Sequence, residues 1–454
     1  MKSPIDNQAR REFLRRASWI SAAPFASTLL AAGAASAQTS NDYKALVCIV
    51  LNGGNDQSNT VIPTGNAEYA AYAAARGELT LARDQMLNLT PQGYSGQGLA
   101  LHRSMGGLKT LFDQGRVALL ANVGPLAVPI TKAQWNNGRP NVAVPAQLTS
   151  HSDQQSAWQT GLPDRVSQTG WLGRIGDLTA SAFNSGSGVS IAMSLAGNNI
   201  MQAGESTIQY QLTAQGAVKV RSLSSLYGSA AGATAIRRLM TDPRNHLFEN
   251  ELAKVSSRAI SSESLVTNAL AGVNLNVVFP ATSIGSQLQM VARMIAARGP
   301  LSQRRQIFYV AQGGYDFHDN LLTGQATLLK DLSDAMAAFY AATESIGVAQ
   351  NVSSFTVSEF GRALQSNGRG SDHGWGGHQF IMGGAVQGNR VYGKFPTVAI
   401  GGPEDAGQGR LIPTTSVDEY AATLARWFGV SDSNMSTVVP NLNRFANPNL
   451  GFMA

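Results

Sequence analysis

Four of the six histidines in the chain share short glycine- or serine-rich segments with acidic residues. Imidazole and carboxylate groups that lie close together can ligate a metal ion or act as acid and base. This mixture of ligands suits zinc, manganese or iron, whereas a site with fewer histidines suits calcium or magnesium. Cys48 is the only cysteine, so a structural zinc site built from several thiolates is excluded. The four histidines are His151, His318, His373 and His378, and we interpret His102 and His246 as ordinary structural or surface residues.

One of these polar segments follows a run of β-forming residues. Residues 306–312 are almost entirely apolar, which predicts a strand buried on both faces. Two glycines end the run, and Asp316 and His318 come directly after them. In an open α/β sheet, ligands bind just beyond the carboxyl ends of the strands. We therefore expect Asp316 and His318 to face a binding site.

Two further apolar runs end in the same way. Lys44–Leu51 leads through a tight Asn-Gly-Gly-Asn turn to Asp56, and residues 351–360 alternate as a strand that ends at Glu359. Because the carboxyl ends of parallel strands meet at one edge of a sheet, we expect the three ends to lie together.

The remaining pattern predicts the α/β class. Strand and helix alternate up to residue 123, and amphipathic helices are predicted at 286–298 and 321–346. This alternation favours a largely parallel sheet with helices on both faces. With no internal repeat and no long linker, residues 38–454 are expected to form one domain, with a helical insertion at about 195–285.

Ser150 stands at the start of a predicted helix and has two interpretations. Its hydroxyl can cap the helix, which is worth about 1 kcal/mol. Alternatively it is a nucleophile beside backbone N–H groups that hold an anion. Spacing alone favours the cap, and Ser152 is the second candidate for the nucleophile.

The first 37 residues predict export. Arg10-Arg11 begins a twin-arginine signal, an apolar stretch follows over 17–35, and Ala35-Ser36-Ala37 fits the small-residue cleavage rule. The segment carries five basic and two acidic residues, so the mature chain has a net charge of +3 instead of +6. That near-neutral charge gives no reason to expect a nucleic-acid partner. We expect a periplasmic or secreted protein without a transmembrane segment, exported by the twin-arginine machinery.

Several motifs together resemble one family. The chain is similar to the exported bacterial family called domain of unknown function 1501, and the resemblance covers nearly all of the mature chain. That family is thought to share the alkaline phosphatase and sulfatase fold, which implies a three-layer αβα sandwich with metal ligands at the carboxyl edge of the sheet. The motifs are Arg10-Arg11, Leu51-Asn-Gly-Gly-Asn-Asp56, Ser150-His151, Gly313-Gly-Tyr-Asp316-x-His318, Ser358-Glu-Phe-Gly-Arg362, Asp372-His373 and Pro413-Thr-Thr-Ser-Val-Asp418.

The resemblance also implies roles for particular residues. A nucleophile at a helix start corresponds to Ser150, beside His151. Glu359 stands where an Asp-His pair usually ends a later strand, and the loop pair Asp372-His373 is expected to replace that pair. The metal ligands implied in this way are Asp56, Asp316, His318, Glu359, Asp372, His373 and His378.

Two functions follow from these expectations. The first is a metal-dependent hydrolase of small anionic phosphate or sulfate esters, in which Ser150 attacks the ester and Arg362 clamps the anion. Its divalent metal would be zinc, manganese or calcium. The alternative is a non-catalytic binding or scaffold protein of the cell envelope that keeps the fold and acts with another exported protein.

Overall fold

A ten-stranded, mostly parallel sheet organises the part of the chain that the structure describes. The structure is a computed structural model that describes residues 42–137 and 142–454, so the predicted export segment 1–37 lies outside the described residues. The strands are β1 (Lys44–Leu51), β2 (Val61–Pro63), β3 (Met86–Leu89), β4 (Leu99–His102), β5 (Val117–Gly124), β6 (Ala192–Ser194), β7 (Tyr210–Thr213), β8 (Gly216–Ala217), β9 (Arg305–Gln312), β10 (Val352–Val357), β11 (Arg362–Ser366), β12 (Ser371–His373), β13 (Gly377–Gly383), β14 (Val391–Tyr392) and β15 (Thr415–Ser416).

The α-helices lie between these strands, except for two that follow the last strand. They are α1 (Gln57–Thr60), α2 (Asn66–Arg76), α3 (Gly106–Asp113), α4 (Lys132–Asn136), α5 (His151–Thr160), α6 (Trp171–Phe183), α7 (Ala230–Thr241), α8 (Leu247–Ala271), α9 (Ser283–Ala296), α10 (Leu321–Ser345), α11 (Val417–Phe428) and α12 (Met435–Val438).

The strand order places the predicted site strands side by side. The sheet runs β14-β5-β13-β10-β1-β9-β6-β7-β8, and β15 pairs with β5. β1 is parallel to both β9 and β10, and β6 continues parallel on the far side of β9. β13 is antiparallel to both of its neighbours, and β8 is antiparallel to β7. The prediction of a mostly parallel α/β sheet is confirmed.

Both faces of the sheet are covered, because its central strands are apolar on both sides. Along β1, Val47 and Ile49 pack into one hydrophobic cluster and Leu46 and Cys48 into the other. Helices α3, α9 and α10 contribute to the first cluster, and α6, α11 and α12 contribute to the second. Alternating side chains of a parallel strand point to opposite faces, so each face needs its own helical layer. The architecture is the expected three-layer αβα sandwich.

Local sequence signals account for several element ends. The helix predicted at 321–346 is α10, and a capping box between Ser416 and Glu419 opens α11. In that box, Glu419 N–H donates to Ser416 Oγ at 3.1 Å, and Ser416 N–H donates to Glu419 Oε2 at 2.9 Å.

The glycine-rich segment at 368–378 contains regular strand structure. Residues Ser371–His373 form β12, which pairs with β11, and β13 begins at Gly377. His373 and His378 therefore stand on strands. β12 forms a local hairpin with β11, whereas β13 depends on long-range pairing with β5, and the local composition of glycine and serine predicts neither strand.

The segment predicted as a helical insertion contains the helices α7 and α8. It also contains β7 and β8, and β7 pairs with β6 so that the sheet extends into this segment. Within residues 42–137 and 142–454, no helix is both long and apolar enough to cross a membrane.

Candidate metal centre

The carboxyl ends of β1, β9 and β10 meet, as predicted from their apolar runs. Gly53, just after β1, donates its N–H to Glu359 Oε1 at 2.8 Å. Gly53 has φ +115°, and a Cβ on it would lie 2.4 Å from the backbone nitrogen of Asp316. Only glycine fits this close approach of two loops. The turn after β1 therefore presses the Asp316 segment against the strand ends.

Arg362 ties these loops together from inside the protein. Its side chain has no exposed surface, and its Nε and Nη1 donate to the carbonyl oxygens of Gly54 and Ser371 at 2.9 and 2.7 Å. Its Nη2 lies 2.5 Å from Asp316 Oδ1. Arg362 was expected to clamp a substrate anion, whereas the structure places the guanidinium among backbone carbonyls and against Asp316. This geometry positions Asp316.

The same contact keeps Asp316 ionised. Burial raises the pKa of Asp316, but the hydrogen bond and charge of Arg362 outweigh it and lower that pKa to about 2. The carboxylate is therefore an anion throughout the neutral range.

Three imidazole rings converge on the Asp316 carboxylate. The Nε2 atoms of His373 and His318 lie 3.1 and 3.2 Å from Oδ1, and Nε2 of His151 lies 3.4 Å from Oδ2. The two Nε2 atoms of His318 and His373 are 3.0 Å apart. Ligand atoms of His151, Asp316 and His373 all lie within 4.8 Å of one another. The structure thus brings together residues that belong to three separate parts of the chain.

The other ring nitrogens fix the orientation of two imidazoles. His373 Nδ1 lies 2.7 Å from the carbonyl oxygen of Thr149, which can only accept, so Nδ1 carries the proton. His151 Nδ1 lies 2.9 Å from Glu359 Oε1 and donates to that carboxylate in the same way. Burial, helped by the charge of Arg362, lowers the pKa of His373 and favours the neutral ring. Each Nε2 then offers a lone pair, as in histidines that bind metals.

These donors fit a divalent metal ion. Several imidazoles with one carboxylate suit zinc or manganese, which were among the expected metals. Calcium prefers a shell of oxygen ligands, so it suits this set of donors less well.

Two predicted ligands lie beside the group and touch its histidines. Glu359 is 2% exposed and contacts His151 through Oε1. Asp372 Oδ1 lies 3.5 Å from Nδ1 of His318. Both carboxylates therefore stand where they can orient an imidazole.

Two other predicted ligands are placed elsewhere. Asp56 is buried, its Oδ1 accepts from Ser58 N–H at 3.1 Å, and its Oδ2 forms an ion pair with Arg76. His378 is buried with its ring 4.7 Å from that of Phe395, and burial lowers its pKa to about 3. The structure gives both residues partners in the interior, outside the group around Asp316.

Ser150 precedes α5 and does not cap it through its side chain. Its hydroxyl donates to Asp153 Oδ2 at 2.6 Å and lies 3.2 Å from the hydroxyl of Ser152. The hydroxyl therefore has a carboxylate as its acceptor, and the backbone N–H groups of the first turn are not engaged by it.

Sequence reasoning missed two neighbours of the group. Gln155 Nε2 donates to Glu359 Oε1 at 3.3 Å, and the ring of Phe360 stacks on His373 with the centroids 4.5 Å apart. Gln155 stands four residues after His151, which puts the two on one helical face, so that spacing was an available signal. The stacking of Phe360 depends on tertiary contacts alone.

A comparison with family models identifies the family of this chain. Residues 43–442 match the model described as a protein of unknown function, DUF1501. The chain belongs to this family. The match covers most of the DUF1501 chain, including every candidate ligand named above, and it confirms the family expected from the motifs. None of the curated proteins compared with this DUF1501 chain matches it.

Solved structures similar to this DUF1501 protein include sulfatases. One is the PsFucS1 sulfatase from Pseudoalteromonas sp., with 11% identity and a TM-score of 0.36 over 86% of this chain and 68% of that chain. Another is BT1596, a 2-O GAG sulfatase, with 12% identity and a TM-score of 0.31 over 86% of this chain and 71% of that chain. At these values the similarity transfers no activity to this chain.

Proposed function

We propose that this protein is a divalent-metal-dependent hydrolase of phosphate or sulfate esters. The observation that carries the proposal is the convergence of three imidazole Nε2 atoms on the ionised Asp316 carboxylate. His151, Asp316 and His373 would hold the metal, with His318 in reach as a further ligand. A bound divalent metal supplies Lewis-acid stabilisation of negative charge on an ester oxygen.

The start of α5 supports an anionic substrate. His151 and Ser150 lie at the amino end of this helix, where backbone N–H groups and the helix dipole favour negative charge. Because the Ser150 side chain makes no capping bond, it does not compete for those N–H groups. A phosphate or sulfate group beside His151 would therefore find donors on the chain itself.

Ser150 is the proposed nucleophile. Its hydroxyl proton already points to Asp153, which is placed to accept it. In the first step, Oγ forms a bond to phosphorus or sulfur, the bond to the alcohol oxygen breaks, and the alcohol leaves with a proton. Water then releases the phosphate or sulfate from Oγ and restores the hydroxyl.

The test combines metal analysis with a substrate panel. We expect purified protein to contain a divalent metal and to hydrolyse an aryl phosphate or aryl sulfate. Ser150→Ala should abolish turnover while keeping the metal. The neighbouring Ser152→Ala serves as the matched control and should retain both turnover and metal. Loss of turnover only in Ser152→Ala would move the nucleophile to Ser152.

The same experiment distinguishes the scaffold alternative from the hydrolase. A protein without bound metal, without turnover and with unchanged stability in chelator would support a binding or scaffold role in the envelope with another exported protein. Bound metal with no turnover on any ester would reject the hydrolase while keeping the centre.

We also propose that the protein is exported by the twin-arginine pathway. The support is the order of Arg10-Arg11, the apolar stretch and the Ala35-Ser36-Ala37 site. Replacing both Arg10 and Arg11 by lysine should trap the full-length precursor in the cytoplasm, as measured by fractionation and by the mass of the mature amino terminus. Export of the double variant at the unchanged rate would refute the assignment.

A further inference from the structure

Two residues that line a recess beside the proposed metal centre each carry a buried polar atom without a partner. The recess has a volume of about 10 Å³, room for about one water-sized group, and Trp158 and Glu359 are among its lining residues. Each of the two is 2% exposed. Among the described residues, neither Trp158 Nε1 nor Glu359 Oε2 has a hydrogen-bond partner. We call this space the inner recess.

The two atoms have complementary chemistry. The indole N–H of Trp158 can only donate, and the carboxylate oxygen of Glu359 can only accept when it is ionised. A buried polar group left without a partner is destabilising, so a ligand that satisfies both atoms gains affinity. Glu359 Oε1, the other oxygen of the same carboxylate, contacts His151. The inner recess therefore opens next to the group around Asp316.

A wider groove continues from the inner recess. Gln155, Gln159 and Tyr309 line both spaces, and the groove has a volume of about 520 Å³. Its other polar lining includes Asn52 and Asn199, and none of its lining residues is Lys, Arg, Asp or Glu. Carboxamides and hydroxyls both donate and accept, so this surface is suited to an uncharged polar ligand.

We infer that the groove binds the alcohol part of the ester, that this alcohol carries additional free hydroxyl groups, and that one of these hydroxyls enters the inner recess. The inference rests on the proposed function. A hydroxyl can accept from the Trp158 N–H and donate to the Glu359 carboxylate, so its chemistry matches both atoms. A second anionic group would be repelled by Glu359, and an ammonium group would leave the Trp158 N–H without an acceptor.

Trp158→Phe tests the inference, because it removes the N–H and keeps an aromatic ring. The measurement is the ratio of kcat/KM for a glycerol phosphate or glycerol sulfate to that for the matching 4-nitrophenyl ester. Loss of one hydrogen bond should lower this ratio about tenfold. Trp427→Phe changes a tryptophan outside both spaces and should leave the ratio unchanged. An unchanged ratio in Trp158→Phe would overturn the assignment.

A binding measurement keeps this result separate from failure of the proposed function. If the wild-type protein hydrolyses no ester, the hydrolase proposal fails. Sorbitol binding, monitored by ligand-observed NMR, then tests whether the recess and groove bind hydroxyl groups. Binding to the wild type that weakens in Trp158→Phe supports a hydroxyl site even then. Absence of sorbitol binding, equal binding to both proteins, or displacement of sorbitol by ethylamine, which has an ammonium group and no hydroxyl, at equal concentration would each overturn the inference.

Discussion

His151 and Glu359 are joined by a contact of 2.9 Å between Nδ1 and Oε1, although 208 residues separate them in the chain. The carboxylate also accepts the N–H of Gly53. One side chain at the end of β10 thus fixes the β1 turn and the ring that starts α5. This contact sets the direction in which His151 Nε2 points toward Asp316.

Glu359→Gln should weaken metal binding. The amide can still accept from Gly53, but it removes the negative charge that holds the Nδ1 proton of His151. Loss of such an orienting carboxylate typically costs about 10- to 100-fold in metal affinity. Competition with a chelating dye measures the change, and Glu263→Gln on α8 is the control. Equal affinity in the two variants would show that Glu359 does not orient a ligand.

Gly53→Ala should displace Asp316. The new Cβ would lie 2.4 Å from the Asp316 nitrogen, so the backbone must shift. Gly115→Ala is a matched control, since Gly115 also has a positive φ, +72°, but a Cβ there meets nothing within 4 Å. Both substitutions carry a left-handed backbone cost of about 1–2 kcal/mol. Only Gly53→Ala should also lower metal content, and an equal effect of the two on metal content would contradict the proposed packing.

Arg362→Met should destabilise the fold by about 3 kcal/mol. Asp316 is partly exposed, which screens its ion pair, so most of this cost comes from the buried carbonyls of Gly54 and Ser371 that lose their donor. Arg362→Lys should not restore stability, because an ammonium cannot reach the same set of acceptors. Urea denaturation measures both variants. Normal stability combined with lost binding of phosphate or sulfate would support the anion clamp expected from the sequence.

His318→Ala and His378→Ala should differ in their effect on metal content. His318 Nε2 lies 3.2 Å from Asp316, so its loss should lower metal content. His378 is buried against Phe395, and its Nδ1 accepts from the Asn122 N–H at 3.1 Å. Its replacement should keep the metal and lower the melting temperature. Metal analysis with His246→Ala as the exposed control distinguishes these outcomes. Loss of metal in His378→Ala would show that His378 contributes to the metal centre, as predicted from the sequence.

Asp418→Asn should stabilise the protein more at pH 8 than at pH 4. Burial, helped by the charge of Glu419, raises the pKa of Asp418 from 3.8 to about 7, and its Oδ1 has no hydrogen-bond partner among the described residues. Between about pH 4 and pH 7 the unfolded chain releases this proton while the folded chain keeps it. The free energy of unfolding of the wild type therefore falls as pH rises through this window and then levels off.

Asparagine does not ionise, so the variant should gain on the order of 1–4 kcal/mol relative to the wild type across that window. Calorimetry from pH 4 to pH 8 measures the difference between the two melting temperatures. A difference that stays constant with pH would show that Asp418 does not titrate in this range.

The sequence alone determined which strands end at the site. Continuous apolar runs at Lys44–Leu51 and residues 306–312 predict strands buried on both faces, because only a central parallel strand needs two apolar sides. Strand ends of that kind carry ligands in α/β folds, so Asp316 and the segment around Glu359 could be named without coordinates. These signals are local, and each depends on a few consecutive residues.

Only the tertiary structure decided which side chains meet. Asp56 follows its strand about as closely as Asp316 does, yet the turn after β1 directs Asp56 to Arg76. The backbone carbonyl of Thr149, from a distant loop, orients the ring of His373. Ligand geometry depends on where a ring nitrogen points, to within about an ångström, and contacts between residues hundreds of positions apart set that direction. A pattern of residue types along one chain carries the chemistry of the donors but not their mutual orientation.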